Sequence, residues 1–152
     1  MREIRFRGKR KDTGAWVYGL LAKTRDGQGG LKDCIMVEHP SEDRVIFLIV
    51  DPETVGQFTG LCDESDKEIY EGDIVKAHYT NAKRTEDILE IQFDKGRFEA
   101  VKKLGGQGHV SMPIADGIPQ LEIDKSPYMD SCEVLGNIYD SPELLGERVA
   151  VD

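Results

Sequence analysis

Apolar and polar residues alternate with a period of two over much of the chain, the pattern of strands with one buried face. Residues 3–9 set Ile4 and Phe6 on one side and Arg5, Arg7 and Lys9 on the other. Lys11-Asp12-Thr13-Gly14 is a turn signal, and residues 16–22 return with Trp16, Tyr18 and Leu20 on one face. The two segments predict a β-hairpin whose apolar face carries Ile4, Phe6, Trp16 and Tyr18. Residues 24–30 hold three glycines and predict a mobile loop. Residues 35–38 form a short strand and residues 39–43 a turn. The unbroken apolar run at 45–50 predicts a buried strand that Pro52 ends. Residues 55–59 are extended, and Gly60 stops them.

Residues 62–67 are acidic and turn-like, and Gly72-Asp73 opens a strand over 74–79. Residues 81–86 read as a polar loop. Residues 88–93 alternate, with Leu89, Ile91 and Phe93 inward and Glu90 and Gln92 in solvent. Asp94-Lys95-Gly96 is a tight hairpin turn, and Phe98, Ala100 and Lys102 share a face of the returning strand. The four glycines and Pro113 at 105–117 predict a surface loop. Leu121 and Ile123 suggest a short strand, and residues 133–138 are the last, bent at Gly136-Asn137. Ser141 as N-cap and Pro142 at the first helical position predict one short helical turn. Many short strands with Gly and Pro turns make an all-β protein, either a barrel or a pair of small sheets.

Composition adds three exclusions. The chain has 152 residues and a formal charge of −9, and no apolar run approaches a membrane span. Cys34, Cys62 and Cys132 form no CxxC pair, so a reducing, cytoplasmic compartment is expected. The charge is uneven: residues 1–25 carry +6 and residues 26–152 carry −15. The negative body disfavours general nucleic-acid binding, while the basic arm suits local phosphate contacts or an acidic protein partner.

Three blocks resemble one family. They are Met1-Arg2-Glu3-Ile4-Arg5-Phe6-Arg7-Gly8 with Tyr18-Gly19, then residues 54–75 with Gly60, Asp63, Tyr70, Glu71, Gly72 and Asp73, and finally residues 133–145 with Gly136 and Asn137. Their order and spacing resemble the YopX family of bacteriophage and prophage proteins. The resemblance implies a single unit over 1–152, with an N-terminal β annex over 1–50 and an SH3-like barrel over 54–145. It also implies a bacterial host cytoplasm. The family brings no established biochemical function, so no catalytic residue is carried over. The motif has a structural rationale: Gly72 supplies a positive φ, Asp73 accepts from nearby amides, and Ile69 and Tyr70 pack beneath the turn. Glu71 and Asp73 could instead face one cleft as a carboxylate pair.

No set of residues forms a metal or cofactor signature: His39, His78 and His109 lie far apart, as do the cysteines. Cys62 sits beside Asp63, Glu64 and Asp66, which disfavours a thiolate nucleophile. The glycines at 105–108 lack the lysine and helix of a phosphate loop. The candidate binding face is therefore Arg5, Arg7, Lys9 and Arg10, with a second basic patch at Lys76, Tyr79, Lys83 and Arg84. The expected function is a non-enzymatic binding or interaction module. A nucleic-acid binder acting through the basic hairpin and a small enzyme of unknown chemistry are the alternatives. The charge split and the apolar hairpin predict a homo-oligomer, with a host or phage protein as a further partner and no membrane.

Overall fold

In the computed structural model the alternating segments pair as antiparallel strands, and the structure describes residues 3–79, 86–103, 109–115, 118–119 and 129–146. For residues 79, 103, 109–115, 118–119 and 129–130 it describes the backbone alone. The chain divides into two units, Met1–Gly60 and Leu61–Asp152. The all-β class follows from the alternation, as expected.

Unit 1 holds β1 (Phe6–Lys9), β2 (Trp16–Arg25), β3 (Leu31–Glu38), β4 (Val45–Ile49) and the start of β5 (Gly56–Cys62). Their order in the sheet is β4-β3-β2-β1-β5. β2 serves two partners in turn. Trp16 to Gly19 pair with β1, and Leu20 to Arg25 pair with β3. Gly19 stands at the handover, where a Cβ would lie 2.1 Å from the Met36 carbonyl oxygen. Only glycine lets the backbones approach this closely, which gives the Tyr18-Gly19 pair a structural reason.

Four expectations for unit 1 change. Arg7 pairs with Tyr18 and Lys9 with Trp16, so the β2 aromatics share the basic face and not the Ile4/Phe6 face. Residues 26–30 are an ordered turn: Asp26 Oδ1 accepts from Gln28 N at 3.0 Å and Gly30 N at 2.8 Å. Those amides hold the Asp26 carboxyl below its usual range. The run at 45–49 is no buried strand, because β4 is the last strand of the order and leaves Val45 and Phe47 exposed. Asp51 then caps the short turn Pro52–Thr54, and buried Thr54 Oγ1 accepts from Lys9 N at 2.8 Å. β5 continues through Gly60, which adopts φ +88° inside the strand where a stop was expected.

Unit 2 holds β6 (Glu68–Tyr70), β7 (Asp73–Tyr79), β8 (Glu86–Asp94), β9 (Arg97–Lys103), β10 (His109–Ala115), β11 (Ile118–Pro119), β12 (Met129–Asn137) and the short helix α1 (Glu143–Gly146). Six of them follow the order β11-β10-β9-β8-β7-β12. Lys95 and Gly96, both at positive φ, make the two-residue turn between β8 and β9. Ser141 and Pro142 lead into α1 as expected, their carbonyls accepting from Leu144 N and Leu145 N. The core is Ile69, Val75, Ala77, Leu89, Ile91, Ala100, Cys132 and Val134, with Leu61 packed against it.

Here too the alternation misleads in places. Leu89 and Ile91 are buried, but Phe93 is 48% exposed. It lies at the strand end beside the 95–96 turn and meets the Phe98 ring edge-on at 5.0 Å. Glu90 is buried, because mid-strand it lies between Ile74 of β7 and Val101 of β9. Residues 109–115, expected in a loop, are the strand β10. Its Pro113 pairs with Glu99 of β9, and β11 joins from Ile114 on. The expected strand at Leu121 and Ile123, residues 81–85 of the expected loop, and residues 105–108 and 116–117 lie outside the described residues.

Two stability measurements check this packing. Gly19→Ala should lose roughly 1–3 kcal/mol in urea unfolding, since the added carbon meets backbone and not a movable side chain. Leu89→Ala should lose about 2–5 kcal/mol, and Phe93→Ala well under half of that.

Candidate functional site

The motif residues at 63–73 and 136–137 act on backbone. Asp63 is buried; its Oδ1 accepts from Ser65 N and Lys67 N, both at 2.9 Å, and its Oδ2 accepts from Val134 N at 2.9 Å. Burial by itself would push this carboxyl up. The three amides, with the nearby Lys67 charge, outweigh it and hold the carboxyl below its ordinary value. Asp73 Oδ2 accepts from Tyr70 N at 2.7 Å, and the Tyr70 hydroxyl donates to Glu68 Oε2 at 2.8 Å. Gly72, at φ +88°, donates its N–H to Ile91 O and accepts from Ile138 N. Glu71 is half-buried beside it, while Asp73 is buried, so the two carboxylates are not equivalent walls of one cleft. Asn137 Oδ1 accepts from Tyr139 N and Asp140 N, closing the turn that leads to α1. Gly136 sits at the register shift of β12.

The basic strand is engaged by its neighbours. Arg5 Nη2 meets Glu3 Oε1 at 2.6 Å and its guanidinium lies 5.5 Å from the Phe58 ring centre. Arg7 is only 5% exposed and stacks 4.7 Å over Trp16, with Lys9 Nζ 5.8 Å from the same ring. Arg10 meets Asp12 at 2.6 Å. In the second basic patch, Lys76 Nζ is 3.5 Å from Glu86, while Lys83, Arg84 and the Tyr79 side chain lie outside the described residues.

The open face of unit 1 is apolar. Leu20, Met36 and Phe47 form one cross-strand row, and Leu20 and Phe47 are exposed, as are Tyr18 and Val45. Where β2 leaves β1 for β3, a groove of about 510 Å³ opens between Ile4, Arg5, Tyr18, Leu20, Val37 and Val45. The sequence hid this surface, since an apolar run at 45–50 does not say which of its faces is covered.

Chemical groups also gather in unit 2. Glu64, His78 and Glu133 bring one donor atom each to within 4.8 Å of one another. No spacing rule finds this trio, because the sheet and a long-range hydrogen bond assemble it. The buried thiols are held protonated: desolvation pushes Cys34 up, and desolvation with Asp63 and Glu64 pushes Cys132 up to about 11. Neither suits a nucleophile. Cys62 is exposed.

The family described as YopX protein matches residues 5–146. The chain belongs to the YopX family. The crystal structure of protein EF1440 from Enterococcus faecalis superposes with a TM-score of 0.52 at 20% identity, covering 95% of this chain and 99% of that one. That of the protein yopX from Bacillus subtilis gives a TM-score of 0.49 at 16% identity, over 95% and 97% of the two chains. A comparison with curated proteins gives no match. For this YopX-family chain the likeness to EF1440 shows the fold alone. No helix among the described residues is long and apolar enough to cross a membrane.

Acid unfolding tests the Asp63 bracket. Its folded carboxyl titrates lower than the unfolded one, near 3.9, so its stabilisation is complete above about pH 5 and is lost as pH falls through the folded value. Asp63→Asn should reduce stability at pH 7 and flatten the fall in stability below about pH 4. An unchanged acid limb, followed by far-ultraviolet circular dichroism, would assign that limb to other carboxylates.

Proposed function

We propose that this YopX-family chain is a non-enzymatic interaction module of phage or prophage origin, working in the host cytoplasm as a symmetric assembly of its own copies. The observation that carries the reading is the exposed apolar face of unit 1, with Tyr18, Leu20, Val45 and Phe47 side by side. A surface of this kind marks an interface.

Charge favours a second copy as the occupant. The Met1–Gly60 unit carries a formal +1, whereas the Leu61–Asp152 unit carries −10, so two copies meet with least repulsion through unit 1. The rim is also self-complementary. Arg5 borders the row on the β1 side, and Glu38 with Asp43 borders it at the β3–β4 turn. A two-fold axis through the row sets the basic rim of one copy against the acidic rim of the other. Trp16 lies on the same side of β2 as Tyr18 and Leu20 but is covered there by Arg7 and Lys9. The Arg10–Asp12 ion pair and the burial of Arg7 leave the hairpin poorly suited to phosphates, which disfavours the nucleic-acid reading.

Light scattering at micromolar concentration tests the assembly. The chain should elute at dimer mass, and Phe47→Asp or Leu20→Asp should return it to monomer with unchanged circular dichroism. Each should weaken association by roughly 30-fold or more. Arg5→Glu should weaken it less, and Glu38→Arg added to Arg5→Glu should restore it. A monomeric wild type, or a dimer indifferent to both aspartates, contradicts the reading.

A further inference from the structure

Beyond the interaction surface, unit 2 carries a donor set that no motif records. Glu64 lies in the turn after β5, His78 on β7 and Glu133 on β12, with their donor atoms within 4.8 Å of one another. Backbone places all three. His78 pairs with Ser131 and Lys76 with Glu133, so His78 and Glu133 are diagonal neighbours on one face. Glu64 N donates to Cys132 O at 3.1 Å, and the adjacent Asp63 accepts from Val134 N at 2.9 Å. Glu64 is thus tied to the strand on both sides of Glu133.

The charges around this trio call for a cation. Glu86 Oε1 stands 3.7 Å from His78 Nδ1 and 3.5 Å from Lys76 Nζ. Three carboxylates therefore gather about one imidazole, and one of them also lies beside an ammonium, inside a unit of formal charge −10. One imidazole with two carboxylates is a nitrogen–oxygen set that suits a first-row transition ion better than calcium or magnesium. Four-coordinate zinc spaces its donors by about 3.3–3.6 Å, so the three need close by no more than roughly 1.5 Å. Glu64 is exposed and Glu133 half-buried, and rotation of their side chains covers that distance.

We propose that Glu64, His78 and Glu133 bind one divalent transition-metal ion of the zinc class, with Glu86 as an outer carboxylate near the His78 ring and Lys76 as the internal cation it competes with. Three protein donors leave a position for water or for a donor from a partner. Among the described residues this is the one cluster of its kind.

Calorimetry with zinc chloride on the full, tag-free chain tests the site, with cobalt(II) absorption as a second readout. The expected result is one ion per chain, weakened at least tenfold by His78→Gln and by Glu133→Gln. Lys76→Met should tighten binding and Cys62→Ser should leave it unchanged. Should Glu133→Gln fail to fold, Glu64→Gln on the exposed turn carries the test, with the same tenfold loss expected. No saturable binding by the wild type overturns the proposal. So does binding that survives His78→Gln, or binding that Cys62→Ser abolishes.

Discussion

The carboxylate of Asp63 joins parts of the chain 71 residues apart, and the arrangement of unit 2 depends on it. A carboxylate can accept several hydrogen bonds, and here it accepts three backbone N–H groups from two segments. It closes the 63–67 turn and fixes that turn to β12. Each amide it accepts is a donor that would otherwise be left with no protein partner or open to water. The buried charge is tolerated because those amides and Lys67 offset its desolvation.

The same device recurs at the strand ends. Asp73 accepts from Tyr70 N at the start of β7, and Asn137 accepts from Tyr139 and Asp140 at the end of β12. Asp73 and Asn137 are paired residues in the β7–β12 register, so two such brackets face each other across one end of the pair. Between the brackets lies the apolar core of Ile69, Val75, Cys132 and Val134. On the pair's outer face the same placement brings His78 and Glu133 together and delivers Glu64 to them. Polar residues that hold backbone thus also position the donor cluster.

Much of this was legible in the sequence where a local rule decides the geometry. The 95–96 turn, the Ser141-Pro142 start of α1, and the burial of Ile69, Tyr70, Leu89 and Ile91 follow from turn chemistry and alternation. What was illegible depends on non-local facts. The facing of Trp16 and Tyr18 is set by the parity of the β1–β2 turn, and alternation in either strand alone cannot give it. The exposure of Phe47 follows from β4 being last in the sheet order, and Phe93 is exposed because β8 outruns its cover. β10 was hidden by Pro113 and the glycines around it, and its pairing with β9 is a property of a neighbour that local turn signals do not carry. The donor trio needs both a register and the Asp63 bond, neither of which a spacing motif encodes.

Hydrogen exchange at the Val134 amide addresses the Asp63 bracket directly. The account predicts that this amide exchanges only through global unfolding at neutral pH, together with the core amides of Val75 and Leu89. In Asp63→Asn it should exchange far faster than those core amides. If the Val134 amide in the native chain exchanges as quickly as the exposed turn amides, or is indifferent to that substitution, Asp63 does not hold the unit together.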